Sequence, residues 1–96
     1  MPLVFEWDTR KAKSNQRKHQ VSFDEACTVF NDKLARIFPD EGHSNGEERE
    51  IIVGHSILGR LLLVSFVERL PGRARIISAR KATRREQIDY EEGVEG

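Results

Sequence analysis

The stretch R-A-R-I-I-S-A-R-K-A-T-R-R-E-Q-I-D-Y, residues 73–90, decides how the chain folds. Its first half is apolar and β-branched around two adjacent isoleucines, with arginines on both sides, and this composition is typical of a strand. Its second half opens with a capping box, in which Thr83 accepts a hydrogen bond from the amide of Glu86 while the Glu86 side chain reaches back to the Thr83 amide. The stretch therefore predicts a strand that leads directly into a helix.

Six cations gather where this strand meets the helix. They are Arg73, Arg75, Arg80, Lys81, Arg84 and Arg85. A dense positive cluster on a rigid strand and on the first turn of a helix can hold a polyanion. A charge cluster can equally be a solvated surface, and at this point the sequence leaves both interpretations open.

Composition and charge limit the classes of protein to which the chain can belong. With 96 residues it is expected to form one small domain over residues 1–96. The formal net charge is +0, so binding to nucleic acid would depend on charge segregation between basic residues at 10–18 and 73–85 and acidic residues at 40–50 and 86–95. A single cysteine, no apolar signal segment at the start and no long apolar run together predict a cytoplasmic protein.

Two helices are predicted in the first third of the chain, after a short strand over residues 3–7. Asp8 is a good N-cap for a helix over Thr9–His19, which is polar almost throughout. Ser22 and Glu25 form a second capping box, and the helix that they begin carries apolar residues at spacings of three and four. That apolar stripe consists of Phe23, Ala26, Cys27 and Phe30.

Four strands are predicted after these helices, because the apolar spacing changes and turn signals appear. The strands cover residues 34–38, 48–55, 60–68 and 73–79, and the turns fall at Asn45-Gly46, Gly59 and Pro71-Gly72. Residues 60–68 are apolar on both faces, which indicates a central place in the sheet. The expected fold is α+β, with a short N-terminal strand and two helices, then a four-stranded antiparallel meander sheet and a C-terminal helix. We expect the helices to cover one face of the sheet, with Leu63 and Phe66 mostly buried.

Few polar residues could carry chemistry, and neither a metal site nor a cofactor is predicted. The three histidines and Cys27 lack a ligand spacing, and the sequence contains neither a phosphate-binding glycine loop nor a nucleophile elbow. The cationic and acid–base candidates are Lys18, His19, Glu48, Arg60, Arg69, Arg80 and Tyr90. For two kinds of candidate a structural role stays open, because a basic helix end stabilises the helix dipole and a lone tyrosine is often an aromatic residue at the edge of the core.

The pattern F-E-W-D-x-x-K-A-x-x-N-x-x-K-H-x-V-S-F-D-E-A at residues 5–26 resembles the opening of BrnT-type toxins. So do E-R at residues 48–49, G-R at residues 59–60, and R-I-I-S-A-R-x-A-T-x-x-E-x-x-x-Y at residues 75–90. The similarity covers nearly the whole chain, in the expected order. One departure is Gln20, where the family pattern favours a glycine that would end the first helix with a positive φ.

The resemblance implies a RelE-like fold and a ribonuclease that cuts RNA and slows translation. It also implies a BrnA-like antitoxin, a ribbon-helix-helix protein that represses its own operon with the toxin bound, so that the toxin reaches operator DNA only through this complex. In relatives of this fold the reaction needs no metal, because the ribose 2′-OH attacks the adjacent phosphate and leaves a cyclic phosphate.

Such a reaction needs a base, an acid and cations for the phosphorane, and the sequence offers residues for each. Arg60, Arg69 and Arg80 could stabilise the phosphorane, since a guanidinium fork matches phosphate oxygens. The acid–base candidates are Lys18, His19, Glu48 and Tyr90. The expected RNA-binding residues are Lys11, Arg49, Arg73, Arg75, Lys81, Arg84 and Arg85.

A non-catalytic binding module is the competing interpretation. In that case the basic groove holds an acidic segment of the antitoxin, and the protein acts as a partner or co-repressor subunit. Direct DNA binding is disfavoured by the neutral net charge and by the lack of a helix-turn-helix pattern.

Overall fold

The computed structural model describes residues 3–40 and 48–95, and the order of elements in this part of the chain is the expected α+β order. The elements are β1 (Val4–Glu6), α1 (Thr9–His19), α2 (Phe23–Thr28), a short 3-10 helix (Val29–Asn31), β2 (Arg36–Pro39), β3 (Arg49–His55), β4 (Leu61–Leu70), β5 (Arg73–Lys81) and α3 (Arg84–Glu95). None of the described helices is long and apolar enough to cross a membrane. The predicted Asn45-Gly46 turn lies outside the described residues.

One five-stranded sheet organises the described chain, in the order β1-β5-β4-β3-β2. Strands β2 to β5 are antiparallel neighbours, so the predicted meander is confirmed, and β4 lies in the middle as its apolar residues indicated. β1 pairs with β5 in parallel, which adds the N-terminal strand to the sheet at the end opposite to β2.

The larger part of the core lies between the sheet and the helices that precede β2. Phe23 and Val29 are almost fully buried in one cluster with alternate residues of β4 and β5, among them Leu62 and Ile76. Burial of such a side chain stabilises the fold by about 1.5–3 kcal/mol. Phe66 belongs to the same cluster and is 5% exposed, as expected.

The other face of the sheet is also partly covered, and the expectation that the helices lie on one face is wrong. Tyr90 of α3 is 7% exposed and packs with Val53 and Leu61, which point away from the larger core. The reason is that β3 and β4 are apolar on both faces, so a second cover removes further apolar surface from water. Leu63 lies on the same face and is largely buried against this smaller cluster.

The predicted helix caps are confirmed by their hydrogen bonds. Asp8 accepts from the amide two residues on at 2.7 Å, and Ser22 Oγ accepts from the Glu25 amide at 3.0 Å. At the start of α3, the Glu86 amide donates to Thr83 Oγ1 at 3.2 Å, and the Thr83 amide donates to Glu86 Oε1 at 2.9 Å. Each cap satisfies amides that have no partner inside the helix, and this fixes where the helix begins.

A buried asparagine attaches α1 to the sheet. Asn15 Nδ2 donates to the carbonyls of Ala79 at 2.8 Å and Val21 at 2.9 Å, and Asn15 Oδ1 accepts from the Ala79 amide at 3.1 Å. β1 pairs with β5 only as far as Arg75, so the backbone of β5 beyond this point has no β1 partner. The amide group of Asn15 therefore supplies the donor and acceptor that a neighbouring strand would have given.

Gln20 ends α1 in a left-handed conformation, with φ 57° and ψ 36°. Its amide donates to the Gln16 carbonyl at 2.9 Å, and its own carbonyl accepts from Arg60 Nη2 at 3.1 Å. The backbone of this residue is thus well bonded, but its side chain makes the conformation costly, because a Cβ atom in the left-handed region crowds the backbone. The glycine expected at this position would avoid that cost.

Gln20→Gly should raise the free energy of unfolding by roughly 0.5–1 kcal/mol, the relief of left-handed strain less the greater flexibility of glycine in the unfolded chain. Urea denaturation of both proteins measures this change. Gln20→Ala is the matched control, because it keeps the strain and the backbone carbonyl that Arg60 contacts. A glycine variant less stable than the alanine variant would contradict the account.

Candidate functional site

The register of the sheet brings arginines from three strands onto one face, the face that α3 partly covers. We call it the open face and define it by Arg36, Arg49, Arg75 and Arg80. Two rows of paired residues cross it. The first row contains Arg36, Val53, Leu63 and Arg80, and the second contains Arg49, Val67, Arg75 and Glu6. Side chains of paired residues point to the same side of a sheet, so the four arginines face one space.

A β-bulge decides the direction of Arg80. The pairing of β5 with β4 shifts by one residue at Ile77, which is the extra residue of the bulge. In a regular strand Arg75 and Arg80 would point to opposite faces, because an odd number of positions separates them. The extra residue brings both onto the open face, where Arg80 lies opposite Leu63.

Arg80 already holds a carboxylate. Its Nη1 donates to Glu86 Oε1 at 2.7 Å, and its Nη2 donates to Glu86 Oε2 at 2.9 Å, so the two side chains meet through two parallel bonds. The Arg80 guanidinium lowers the pKa of the Glu86 carboxyl to about 2, and the pair is therefore charged at neutral pH. The same fork matches the geometry of two phosphate oxygens.

An apolar cavity of about 300 Å³ lies on the open face next to this ion pair. Its walls come from β2, β3, β4 and α3. They are Arg36, Phe38, Ile51, Val53, Leu63, Glu86, Asp89 and Tyr90. A lining of this kind, mainly apolar with a few charged groups, can take an aromatic or apolar part of a ligand.

Tyr90 is tied into the structure through its hydroxyl. The hydroxyl donates to the Leu34 carbonyl at 3.0 Å and lies 3.5 Å from Asp32 Oδ2. Burial and the neighbouring Asp32 carboxylate raise the pKa of Tyr90, so transfer of its proton near neutral pH is unfavourable. The interpretation of Tyr90 as an aromatic residue at the edge of the core fits these contacts better than an acid–base role.

His55 is a residue that the sequence analysis did not place in the site. It ends β3 and points to the open face, on the same side of the strand as Ile51 and Val53. Its Nδ1 lies 3.7 Å from Asp32 Oδ2, and its ring packs edge-on against Tyr90 with 5.7 Å between ring centroids. The alternation of side-chain direction along β3 could have placed His55 on the same face as Ile51 and Val53. The sequence alone gave no indication that Asp32 lies beside it.

Arg60, predicted to act on the phosphorane, is held in an ion pair on the α2 side of the molecule. Arg60 Nε donates to Glu25 Oε2 at 2.9 Å, its Nη2 bonds Glu25 Oε1, and the same Nη2 donates to the Gln20 carbonyl. The hydroxyl of Ser56 also donates to Glu25 Oε2, at 2.6 Å. Glu25 is buried, and Arg60 lowers its pKa, so the carboxyl is charged. The ion pair therefore connects the end of α1, α2 and the residue before β4, which is a structural role.

The remaining acid–base and phosphorane candidates lie in two further places. Lys18 and His19, at the end of α1, line a pocket with Lys11 and residues of β5. Glu48 and Arg69 line another pocket, with residues of β4. The structure therefore does not bring all the predicted catalytic residues into one constellation.

The six cations that the sequence grouped divide between the open face and its surroundings. Arg75 Nη1 lies 3.4 Å and Arg73 Nε 3.8 Å from the carboxylate of Glu6, so this pair shares one acidic partner. With Arg80 they belong to the same face of β5. The other three cations, Lys81, Arg84 and Arg85, are exposed.

The chemistry available on the open face is that of guanidinium groups and an imidazole beside a carboxylate. Among the side chains of the described ranges, no three of His, Cys, Asp and Glu are grouped as metal ligands would be. Burial, and then the charge of Asp24, raises the pKa of the Cys27 thiol to about 11, so this thiol is a poor nucleophile. Guanidinium and imidazole groups are suited to a phosphodiester.

Comparisons with known proteins agree with this chemistry. The family described as "Ribonuclease toxin, BrnT, of type II toxin-antitoxin system" matches residues 7–86. Among solved structures, the chain is similar to the Brucella abortus ribonuclease toxin BrnT, at 22% sequence identity and a TM-score of 0.64, over 88% of this chain and 99% of that chain. This likeness shows a shared fold, and no curated protein matches the chain. Because the family match spans well over half of the sequence, the chain belongs to the BrnT family of ribonuclease toxins of type II toxin–antitoxin systems.

Proposed function

We propose that this protein binds RNA on the open face and cuts it without a metal ion, by attack of a ribose 2′-OH on the adjacent phosphate, and that the cut slows translation. Membership of the family supports a ribonuclease activity. The proposed position of the site rests on one observation: the two rows of paired residues place four arginines on one surface. Fixed cations on one surface suit a polyanion whose phosphates repeat along the strand.

Arg80 has the central part in this proposal. Its backbone is fixed in β5, immediately before the cap of α3, and its guanidinium is held in one orientation by Glu86. A preorganised cation of this kind stabilises the charge of a phosphorane without reorganisation during the reaction. An incoming phosphate takes the place of Glu86, whose carboxylate keeps its bond to the Thr83 amide.

The other cations extend the proposed RNA contact. Arg49 and Arg75 hold phosphates on the second row of the open face, and the pocket of Lys11, Lys18 and His19 on α1 provides a further anion contact. Arg73, Lys81, Arg84 and Arg85 contribute positive potential around them. Arg60 is left out of the proposed contact, because it lies on the α2 side of the molecule and is bonded to the buried Glu25 carboxylate.

A toxin of a type II toxin–antitoxin system has an antitoxin partner, and we propose that this partner is a BrnA-like ribbon-helix-helix protein. This partner would carry the toxin to operator DNA, and both would act in the cytoplasm. Two surfaces support the pairing. The open face can hold acidic side chains, as Glu86 illustrates, and the outer edge of β2 is unpaired within the described residues, with Ile37 and Phe38 about half-exposed.

A non-catalytic binding module remains the second candidate, and one observation favours it. The fork of Arg80 is filled by the Glu86 carboxylate in the free protein, and an acidic side chain of a partner offers the same group. In that case the face serves an acidic antitoxin segment and the protein is a co-repressor subunit. Cleavage of RNA by the isolated protein separates the two candidates.

Arg80→Ala should leave the protein folded, because a partly exposed ion pair contributes only about 0–1 kcal/mol, and should lower RNA cleavage about a hundredfold or more. Arg80→Lys should restore only part of the rate, since an ammonium group lacks the bidentate fork. Thermal melting, antitoxin pull-down and cleavage of a labelled RNA in excess EDTA are measured on the same preparations.

Arg17→Ala is the matched control for this experiment, because it removes an exposed arginine of α1. It should cleave as fast as the wild type. Full cleavage by a folded Arg80→Ala protein would remove Arg80 from the catalytic set, and unfolding of that variant would assign it to the structure. Cleavage that stops in EDTA and returns with a divalent ion would exclude the metal-independent reaction.

The rate of association with the antitoxin should fall roughly tenfold or more between low and high salt, because steering by the arginine rows is screened. Stopped-flow binding at several salt concentrations measures the rate constant. Arg49→Glu should slow association further at low salt, whereas Arg17→Glu, off the open face, should have a smaller effect. A rate constant independent of salt would indicate a mainly apolar interface.

A further inference from the structure

We infer that His55 is a catalytic residue of this ribonuclease, the general base that takes the proton of the ribose 2′-OH, and that Asp32 is its positioning residue. The inference rests on the proposed RNA cleavage and names the residue that begins it. Neither residue belongs to the set predicted from the sequence. Four observations lead to it: the direction of the His55 side chain, its exposure, its carboxylate partner and its distance from the arginine rows.

The direction and exposure of His55 fit a base that meets a substrate. His55 ends β3 on the open face, and 48% of its side chain is exposed. The first arginine row crosses β3 at Val53, two residues before His55, where Arg36 pairs with Val53. Arg80 lies in the same row two strands away from Val53, so the Cα atoms of His55 and Arg80 are roughly 12 Å apart by the spacings of a sheet. The proposal requires one phosphodiester to span this separation.

Asp32 is built to orient an imidazole. Its Oδ1 accepts from the Leu34 amide at 3.0 Å, and its Oδ2 accepts from the His55 amide at 2.8 Å. Burial opposes ionisation of this carboxyl, but the amides of His55 and Leu34 outweigh it and hold the pKa of Asp32 below its usual range. Asp32 therefore stays charged 3.7 Å from His55 Nδ1, where it favours the tautomer that carries the proton on Nδ1 and leaves Nε2 free.

Among the described residues, an acid and a tyrosine contact the imidazole, and an arginine lies in the neighbouring row. Asp32, before β2, stabilises the imidazolium that forms when the proton arrives. Tyr90 of α3 supports the ring from the side, and its own hydroxyl is engaged with the Leu34 carbonyl. Arg36 of β2 lies on the same face in the neighbouring row, where a phosphate would meet it. The distance of 3.7 Å is longer than a hydrogen bond, and in free enzymes such contacts are often long and tighten when the substrate binds.

The proposed step conserves atoms and charge. His55 Nε2 takes the proton of the 2′-OH while the 2′-oxygen forms a bond to phosphorus. The bond between phosphorus and the 5′-oxygen then breaks, and the leaving 5′-oxygen takes a proton from solvent. The products are a 2′,3′-cyclic phosphate and a 5′-hydroxyl, and the imidazolium returns its proton to water. The arginines of the open face hold the extra negative charge of the phosphorane.

The test compares His55→Ala, His55→Gln and Asp32→Asn with the wild type in cleavage of one labelled RNA over a range of pH. Loss of a general base costs about a hundredfold or more in rate, so both His55 variants should slow by at least that factor. The fall in rate that the wild type shows on acidification should vanish in them. Imidazole added to the buffer should restore part of the rate of His55→Ala, an effect that a purely structural role would not produce.

Asp32→Asn should slow cleavage less than the His55 variants and displace the acid limb of its pH profile, because the amide orients the ring without its charge. Arg17→Ala, on α1 and away from His55, is the control and should match the wild type. His55→Gln keeps a side chain of similar size and serves if the alanine variant fails to melt cooperatively.

A folded His55 variant that cleaves within about threefold of the wild type, with the same acid limb, would overturn the assignment of His55. The proposed function would survive that result as long as the wild type cleaves and Arg80→Ala does not. Absence of cleavage by the wild type itself would instead refute the proposed function, so the two failures are distinguishable.

Discussion

The β-bulge at Ile77 is the constraint on which the candidate site depends. Without it, the side chain of Arg80 would point into the space under α1 and α2, where Ile76 and Ala79 are buried. The bulge is held in place from the side, since both backbone polar groups of Ala79 are bonded to Asn15. One buried amide on α1 therefore supports both the attachment of the first helix and the segment of β5 that leads to Arg80. A bulge beside an active site that redirects a side chain is a recurring device of β-sheets.

The hydrogen bonds of Glu86 connect α3 to the candidate site. Glu86 completes the cap that begins α3 and also fills the fork of Arg80, so its carboxylate serves the fold and occupies the proposed site at once. A cap contributes about 1 kcal/mol and a partly exposed ion pair about 0–1 kcal/mol. These modest energies mean that an RNA phosphate, held by several arginines at once, can displace the carboxylate from Arg80 without unfolding the helix. Tyr90, one turn further on, keeps α3 anchored to the sheet through the Leu34 carbonyl while this exchange takes place.

Local signals in the sequence were sufficient for most of the fold. The caps at Asp8, Ser22 and Thr83 are short-range patterns, and the two-sided apolar character of β4 identified its central place, because both depend on neighbours in the chain. Properties that depend on distant partners were not predictable in this way. The ion pair of Arg60 needs Glu25 from another element, and the contact of His55 with Asp32 needs the segment before β2 to lie beside the end of β3. The second cover of the sheet by α3 was missed for the same reason. Candidate site residues chosen by type alone were therefore spread over several surfaces.

The most direct test of the central claim is to map bound RNA on the protein by NMR, using an RNA whose 2′-hydroxyl at the scissile position is replaced by hydrogen so that it binds without being cut. The account predicts chemical-shift changes concentrated on the open face, at the guanidinium groups of Arg49, Arg75 and Arg80 and at the ring of His55, with the Arg80 signal changing as Glu86 is displaced. Changes confined to the helical side, around Lys18 and the Glu25–Arg60 pair, with the open face unaffected, would contradict it.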